Sequence, residues 1–102
     1  MYRQGDVWIE AVADMPKGLT PVTRESGKLV LAHGEVTGHM HAIAELDAEM
    51  FVEKDGTLYL RAPSGCTVTH QEHAPVVLPA GKTYRVLRQR EWTSGMVQKV
   101  AD

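Results

Sequence analysis

Turn-forming clusters recur along this chain at intervals of roughly 8 to 12 residues, and between them apolar side chains come in short runs with a period of two. That punctuation leaves room for many short strands. Residues 14–21 (DMPKGLTP) hold two prolines and a glycine and read as a loop. Lys54-Asp55-Gly56-Thr57 is a hairpin signal, and further turns fall at residues 62–65 (APSG) and at Pro79-Ala80-Gly81. Between the turns, Val7, Ile9 and Ala11 alternate with Asp6, Trp8 and Glu10, which predicts one strand over residues 3–12. Further strands are expected at residues 28–32, 58–62, 76–78 and 82–92, with a last short one at 96–100. Cys66, Val68 and His70 share a strand face.

The segment 41–53 admits two readings. Ile43, Leu46, Met50 and Phe51 have helical spacing, whereas the rival is a strand through Leu46, a turn at Asp47 and Ala48, and a return strand over 50–53. The hairpin signal that follows favours strands. Eight or nine short strands then predict an all-β barrel or sandwich, a single domain over the 102 residues. A formal charge of -2 argues against a general nucleic-acid or anionic-membrane binder. One cysteine, Cys66, cannot close an internal disulfide, and no long apolar run could span a bilayer, so a reducing cytoplasm is the expected compartment.

Chemistry concentrates in His33 to His41, HGEVTGHMH, where Gly34 and Gly38 bracket Glu35, Val36 and Thr37. On a strand His39 and His41 leave the same face, a spacing that suits two ligands on one metal. A second pair, His70 and His73, lies in THQEH ahead of Pro75. If the two stretches meet, His39, His41, His70 and His73 form a site for a divalent transition metal such as zinc, iron, manganese or nickel, with Glu45 as a further candidate ligand. The bland alternative is that the first pair decorates a polar strand face and the second lies in a loop. His33 reads as well as a structural histidine.

At these residues the chain resembles a small single-domain cupin, the double-stranded β-helix family. His39-Met40-His41 with Glu45 resembles the first cupin motif in order and spacing, and Pro79-Ala80-Gly81 resembles the second. The resemblance covers residues 29–90. It implies a barrel with imidazoles in its mouth and a metal-dependent hydrolase or oxygenase activity, or binding of a small anionic molecule. The chain departs from the pattern where Tyr84 stands in place of the second motif's histidine, so His70 or His73 would have to replace that ligand. The phrases HGEVTGHMH, HQEHAPVVLPAG and YRVLRQRE also resemble a group of small bacterial and phage proteins, which carries no activity over to this chain.

Two other readings stand beside the metal site. Two imidazoles, one neutral and one charged, would serve as general base and acid on a phosphodiester, the reading in which nucleic acid is a substrate. In that reading His39 and His73 are catalytic, Glu35 orients an imidazole or moves a proton, and Tyr84 donates to an oxyanion. Arg85, Arg88 and Arg90 with Lys82 would hold the anion, although basic residues on an edge strand also serve to block aggregation. The third reading is a non-catalytic module that pairs with its own copy, as a homodimer, through Trp8 and Trp92.

Overall fold

The computed structural model describes residues 1–34 and 36–88, and these are all-β, in ten short strands. They are β1 (Tyr2–Gln4), β2 (Val7–Val12), β3 (Thr20–Pro21), β4 (Leu29–His33), β5 (Met40–Ile43), β6 (Glu49–Val52), β7 (Leu58–Ala62), β8 (Cys66–Thr69), β9 (Val76–Leu78) and β10 (Lys82–Arg88). Two antiparallel sheets result, a six-stranded one in the order β1-β2-β10-β7-β6-β3 and a four-stranded one in the order β4-β5-β8-β9. Val7, Ile9, Met50, Leu60, Tyr84 and Val86 of the first sheet and Leu29, Leu31, Ile43, Val68 and Leu78 of the second close on one apolar core. The expected all-β architecture is therefore observed.

Local turn chemistry accounts for much of it. Between β6 and β7 the Glu53 amide donates to Thr57 O at 2.9 Å, Gly56 sits at φ 94, and Asp55 Oδ1 accepts the Thr57 amide at 2.9 Å. Gly56 fits there because a positive φ carries no Cβ penalty. Residues 41–53 form strands, as preferred, but not as a strand and its return. β5 ends at Ile43, the chain leaves the four-stranded sheet, and β6 pairs with β7 and β3 in the other one. Leu46 is 85% exposed in the crossing loop.

The expected single strand over residues 3–12 is a hairpin. Gln4 pairs with Val7 around the two-residue turn Gly5–Asp6, with Gly5 at φ 59. A register shift between Val30 and Ala32 breaks the alternation of β4, so that Leu29, Leu31 and Ala32 all reach the core and His33 is left exposed. The expected ends of the last strands, including Arg90 and Trp92, and the short strand at 96–100 lie outside the described residues, as does Glu35. No helix among the described residues is long and apolar enough to cross a membrane.

Register gives the sandwich two distinct ends. β5 and β8 pair Ile43 with Val68 and Ala42 with Thr69, so the next step brings His41 opposite His70. Arg88 pairs with Val7, which places the last residue of β10 beside the Gly5–Asp6 turn at this same end. Cys66 pairs with Leu78 at the far end of β8, where Pro79, the 62–65 turn and the start of β10 gather.

Candidate functional site

At the first end four imidazoles form one group. The ring centres of His41 and His70 are 4.4 Å apart, those of His70 and His73 4.7 Å, those of His39 and His70 5.6 Å, and those of His41 and His73 6.0 Å. The two stretches thus meet, which the sequence left as a condition. Antiparallel pairing of β5 with β8 brings His41 to His70, and the two loops at the strand ends carry His39 and His73. The Met40 amide donates to Gln71 Oε1 at 2.8 Å, which ties one loop to the other.

His41 is the most constrained of the four. It is 3% exposed, and its Nδ1 lies 2.8 Å from Gln4 Oε1. The Gln4 Nε2 donates to Val68 O at 3.0 Å and to Ala74 O at 2.9 Å, so the amide nitrogen is held where two carbonyls need a donor. That fixes Oε1 toward the ring, and an oxygen that can only accept makes His41 Nδ1 the protonated nitrogen. The lone pair is therefore on Nε2. Burial, followed by repulsion from His70, pushes the His41 pKa down to about 4 even though Asp6 opposes the shift, so the ring is neutral at pH 7. Asp6 Oδ1 faces this Nε2 at 3.9 Å. The other Asp6 oxygen accepts from Arg88 at 3.1 Å.

The neighbours have different partners. The Glu72 amide donates to His70 Nδ1 at 3.0 Å, while the Glu72 carboxylate lies 3.7 Å from His39 Nδ1. Burial, then His73 and His39, lower the His70 pKa as well. Gly5 completes the wall: a Cβ on it would stand 2.8 Å from His73 Nε2 and 3.4 Å from His41 Cε1, so the missing side chain leaves room beside both rings. Gly34 packs less closely, with a Cβ position 3.1 Å from that of His39.

The remaining predicted site residues are not brought to this group. Glu45 follows the last residue of β5 toward the opposite end, where its backbone carbonyl accepts from Arg24 and its charge helps raise the Cys66 thiol to about 11, after burial as the main cause. Tyr84 is buried in the core, packed edge-on against Tyr2, and its hydroxyl donates to Pro79 O at 2.8 Å. Its expected role toward an oxyanion has no geometry here. Arg85 lies on the outer face of the sheet in an ion pair with Glu10, whereas Arg88 follows Tyr84 and Val86 on the inner face and reaches Asp6. The two arginines do not form one anion site. Sequence reasoning missed Gln4, Gly5 and Asp6, whose signal was the Gly-Asp pair flanked by strand residues.

Residues 3–89 match a family described as a domain of unknown function, DUF8820. The chain belongs to this family. The matched span contains the whole group, from Gln4 to Arg88, so the hairpin turn, the four imidazoles and Arg88 all lie inside the DUF8820 domain. No curated protein and no solved structure matches the chain. Among the described residues, no three His, Cys, Asp or Glu side chains of the DUF8820 domain stand with their donors gathered to hold a metal ion as they are.

Proposed function

We propose that the imidazole group binds a divalent transition metal and through it a small anionic ligand, with His41 as the anchoring ligand. One observation carries the reading: the Nε2 lone pair of a buried, neutral His41, pinned by Gln4, faces a carboxylate oxygen 3.9 Å away with other imidazoles around it. The donor set suits the group. Neutral imidazoles such as those of His41 and His70 suit zinc, iron or nickel, a carboxylate beside them admits manganese, and a ligating histidine commonly donates its other ring N–H to an oxygen, as His41 does to Gln4. A metal–nitrogen bond of about 2.0–2.1 Å separates the centres of two rings on one ion by roughly 4.5–5.2 Å. The His41–His70 and His70–His73 ring separations of 4.4 and 4.7 Å lie close to that range, whereas those of His39–His70 and His41–His73, at 5.6 and 6.0 Å, would have to shorten on binding. Asp6 supplies the carboxylate that Glu45 does not. A bound metal would act there as a Lewis acid toward an anionic oxygen.

With Arg85 and Arg88 both engaged by carboxylates, the anion's main anchor in this reading is the metal. The likeness to cupins belongs to the same proposal, at the level of imidazoles gathered at the mouth of a β-sandwich. So does a reducing compartment, with Cys66 a buried free thiol. Elemental analysis of protein purified without a histidine tag should find near-stoichiometric transition metal, lost in His41→Ala and reduced in Asp6→Asn. Absence of metal, together with no uptake of zinc, cobalt or nickel on reconstitution, would reject the reading.

One observation favours the metal-free alternative: His41 presents a lone pair beside a ring whose Nδ1 is already accepting, which is a base beside a donor. Against it, a general acid near pH 7 needs an imidazolium, and burial with mutual repulsion disfavours that form at His41 and His70. Phosphodiester cleavage that survives EDTA would decide for this alternative.

A further inference from the structure

The outward face of the six-stranded sheet takes no part in the imidazole group. Val7, Ile9, Tyr84 and Val86 point into the core, so the residues alternating with them, Trp8, Glu10, Arg85 and Leu87, point away from it. Arg3 of β1 pairs with Trp8 and Tyr59 of β7 pairs with Arg85, which extends the same face on either side. The Arg3 guanidinium lies over the Trp8 ring at 5.2 Å, and Arg85 Nε donates to Glu10 at 2.7 Å. Tryptophan, tyrosine and arginine are the side chains that protein interfaces gather, and these strand positions hold them without a lysine. The four central residues are all half-buried. Across the β2–β10 ladder Glu10 stands beside Arg85 and Trp8 beside Leu87. A twofold axis laid along the boundary between these two strands therefore sets Glu10 opposite Arg85 of the partner subunit, and Trp8 opposite Leu87 of the partner subunit. The face is complementary to itself in charge and in apolar surface, as an isologous contact requires.

We propose that a second copy of the chain docks on this face, with the twofold axis running between β2 and β10 and the Glu10–Arg85 pairs of the two copies facing each other. Four strands about 4.8 Å apart and roughly 20 Å of ladder give about 400 Å² per protomer in plan, which places the pair among reversible associations rather than obligate dimers. The inference is independent of the metal reading, because the imidazole group lies at one end of the sandwich and this face on its outside.

Sedimentation velocity of the full chain in EDTA, from about 1 μM to about 1 mM, should show a concentration-dependent shift from one chain to two, the behaviour of a small interface. Arg85→Glu and Glu10→Arg each set like charges against each other across the axis, and each alone should associate at least about tenfold more weakly. Mixed in equal amounts, the two variants should pair with each other to within about threefold of wild type, because every carboxylate then meets a guanidinium. Leu87→Ser, at a half-buried outward position, should also weaken the dimer and carries the test if a charge reversal unfolds the chain, which circular dichroism reads. Val77→Glu, 68% exposed on β9 of the other sheet, should leave association unchanged. The proposal is overturned if wild type stays one chain throughout, which leaves the face to another occupant. It is equally overturned if the dimer survives Arg85→Glu and Leu87→Ser, if Val77→Glu dissociates it, or if the folded charge-reversed variants stay apart when mixed.

Discussion

Replacing Gln4 by methionine should be among the most destabilising changes available in this chain that leaves the apolar core untouched. The side chain is 2% exposed and links three groups: Val68 O at 3.0 Å, Ala74 O at 2.9 Å and His41 Nδ1 at 2.8 Å. Methionine keeps the length and apolar stem but satisfies none of them. Each lost bond costs about 1 kcal/mol net, and more where the orphaned partner stays dry, so the sum is roughly 3 kcal/mol. Small domains have only about 5–15 kcal/mol in total. At roughly 4–8 °C per kcal/mol for a chain near this size, the thermal midpoint should fall by about 12–24 °C. Urea and thermal unfolding of metal-free protein, followed by far-ultraviolet circular dichroism, measure both quantities. Gln4→Glu serves as the companion variant, because its carboxylate still accepts from His41 but turns an oxygen toward two carbonyls; it should be nearly as damaging at pH 7. A loss below about 0.5 kcal/mol in Gln4→Met would refute the network, and with it the assignment of the His41 tautomer.

Other expectations follow from the same coordinates. His41 titrates at about 4 in the fold against 6.5 in the unfolded chain, so the unfolded state takes up a proton first; stability should be complete above pH 6.5 and fall by roughly 3 kcal/mol as pH drops to 4. The lowered His70 pKa acts in the same direction, and in EDTA the steeper part of the slope should disappear in His41→Gln. Gly5→Ala places a Cβ 2.8 Å from His73 Nε2 at φ +59, so it should cost about 1–2 kcal/mol and weaken metal binding at least tenfold. Gly38→Ala, at φ +85 with nothing within 4 Å, should show the strain in a melt while calorimetry finds metal affinity unchanged. Tyr84→Phe should lose about 1–2 kcal/mol with its bond to Pro79 and leave metal stoichiometry alone, as should Glu45→Gln.

What was legible in the sequence was what local chemistry decides. The Lys54–Thr57 hairpin, the 62–65 turn and the strands at 58–62 and 76–78 stand where their residues put them, because a glycine with positive φ and a run of alternating apolar side chains need no distant partner. The meeting of the two histidine pairs was legible only as a condition, since it depends on β5 pairing with β8 across the 62–65 turn and the whole of β6 and β7. Gln4 was missed because a strand continuing through Gly5 would put it on the face opposite Val7. The two-residue turn folds both inward. Glu45 satisfied a linear motif, and Tyr84 stood where that motif has a histidine, but three dimensions carry both away from the imidazoles. After Ile43 the chain crosses to the other sheet, which carries Glu45 toward the end where Cys66 and the Tyr84 hydroxyl lie.

Gln4 also makes stability and ligation depend on one side chain, and the two contributions can be separated. It reaches from β1 of the larger sheet to a carbonyl of β8 in the smaller one, so it fastens the sheets together at the end where the imidazoles lie. It also sets which His41 nitrogen is free. A metal that binds only the folded state adds about 4 kcal/mol at a thousandfold excess over its dissociation constant. Loss of an orienting partner to a ligand weakens binding by roughly 10- to 100-fold, equivalent to about 1.4–2.7 kcal/mol of that gain. In metal-free buffer Gln4→Met should therefore show only the loss of its three hydrogen bonds. In saturating zinc the gap between variant and wild type should widen by this second amount. A gap that stays constant as zinc is added would mean that Gln4 braces the sandwich without governing what His41 presents.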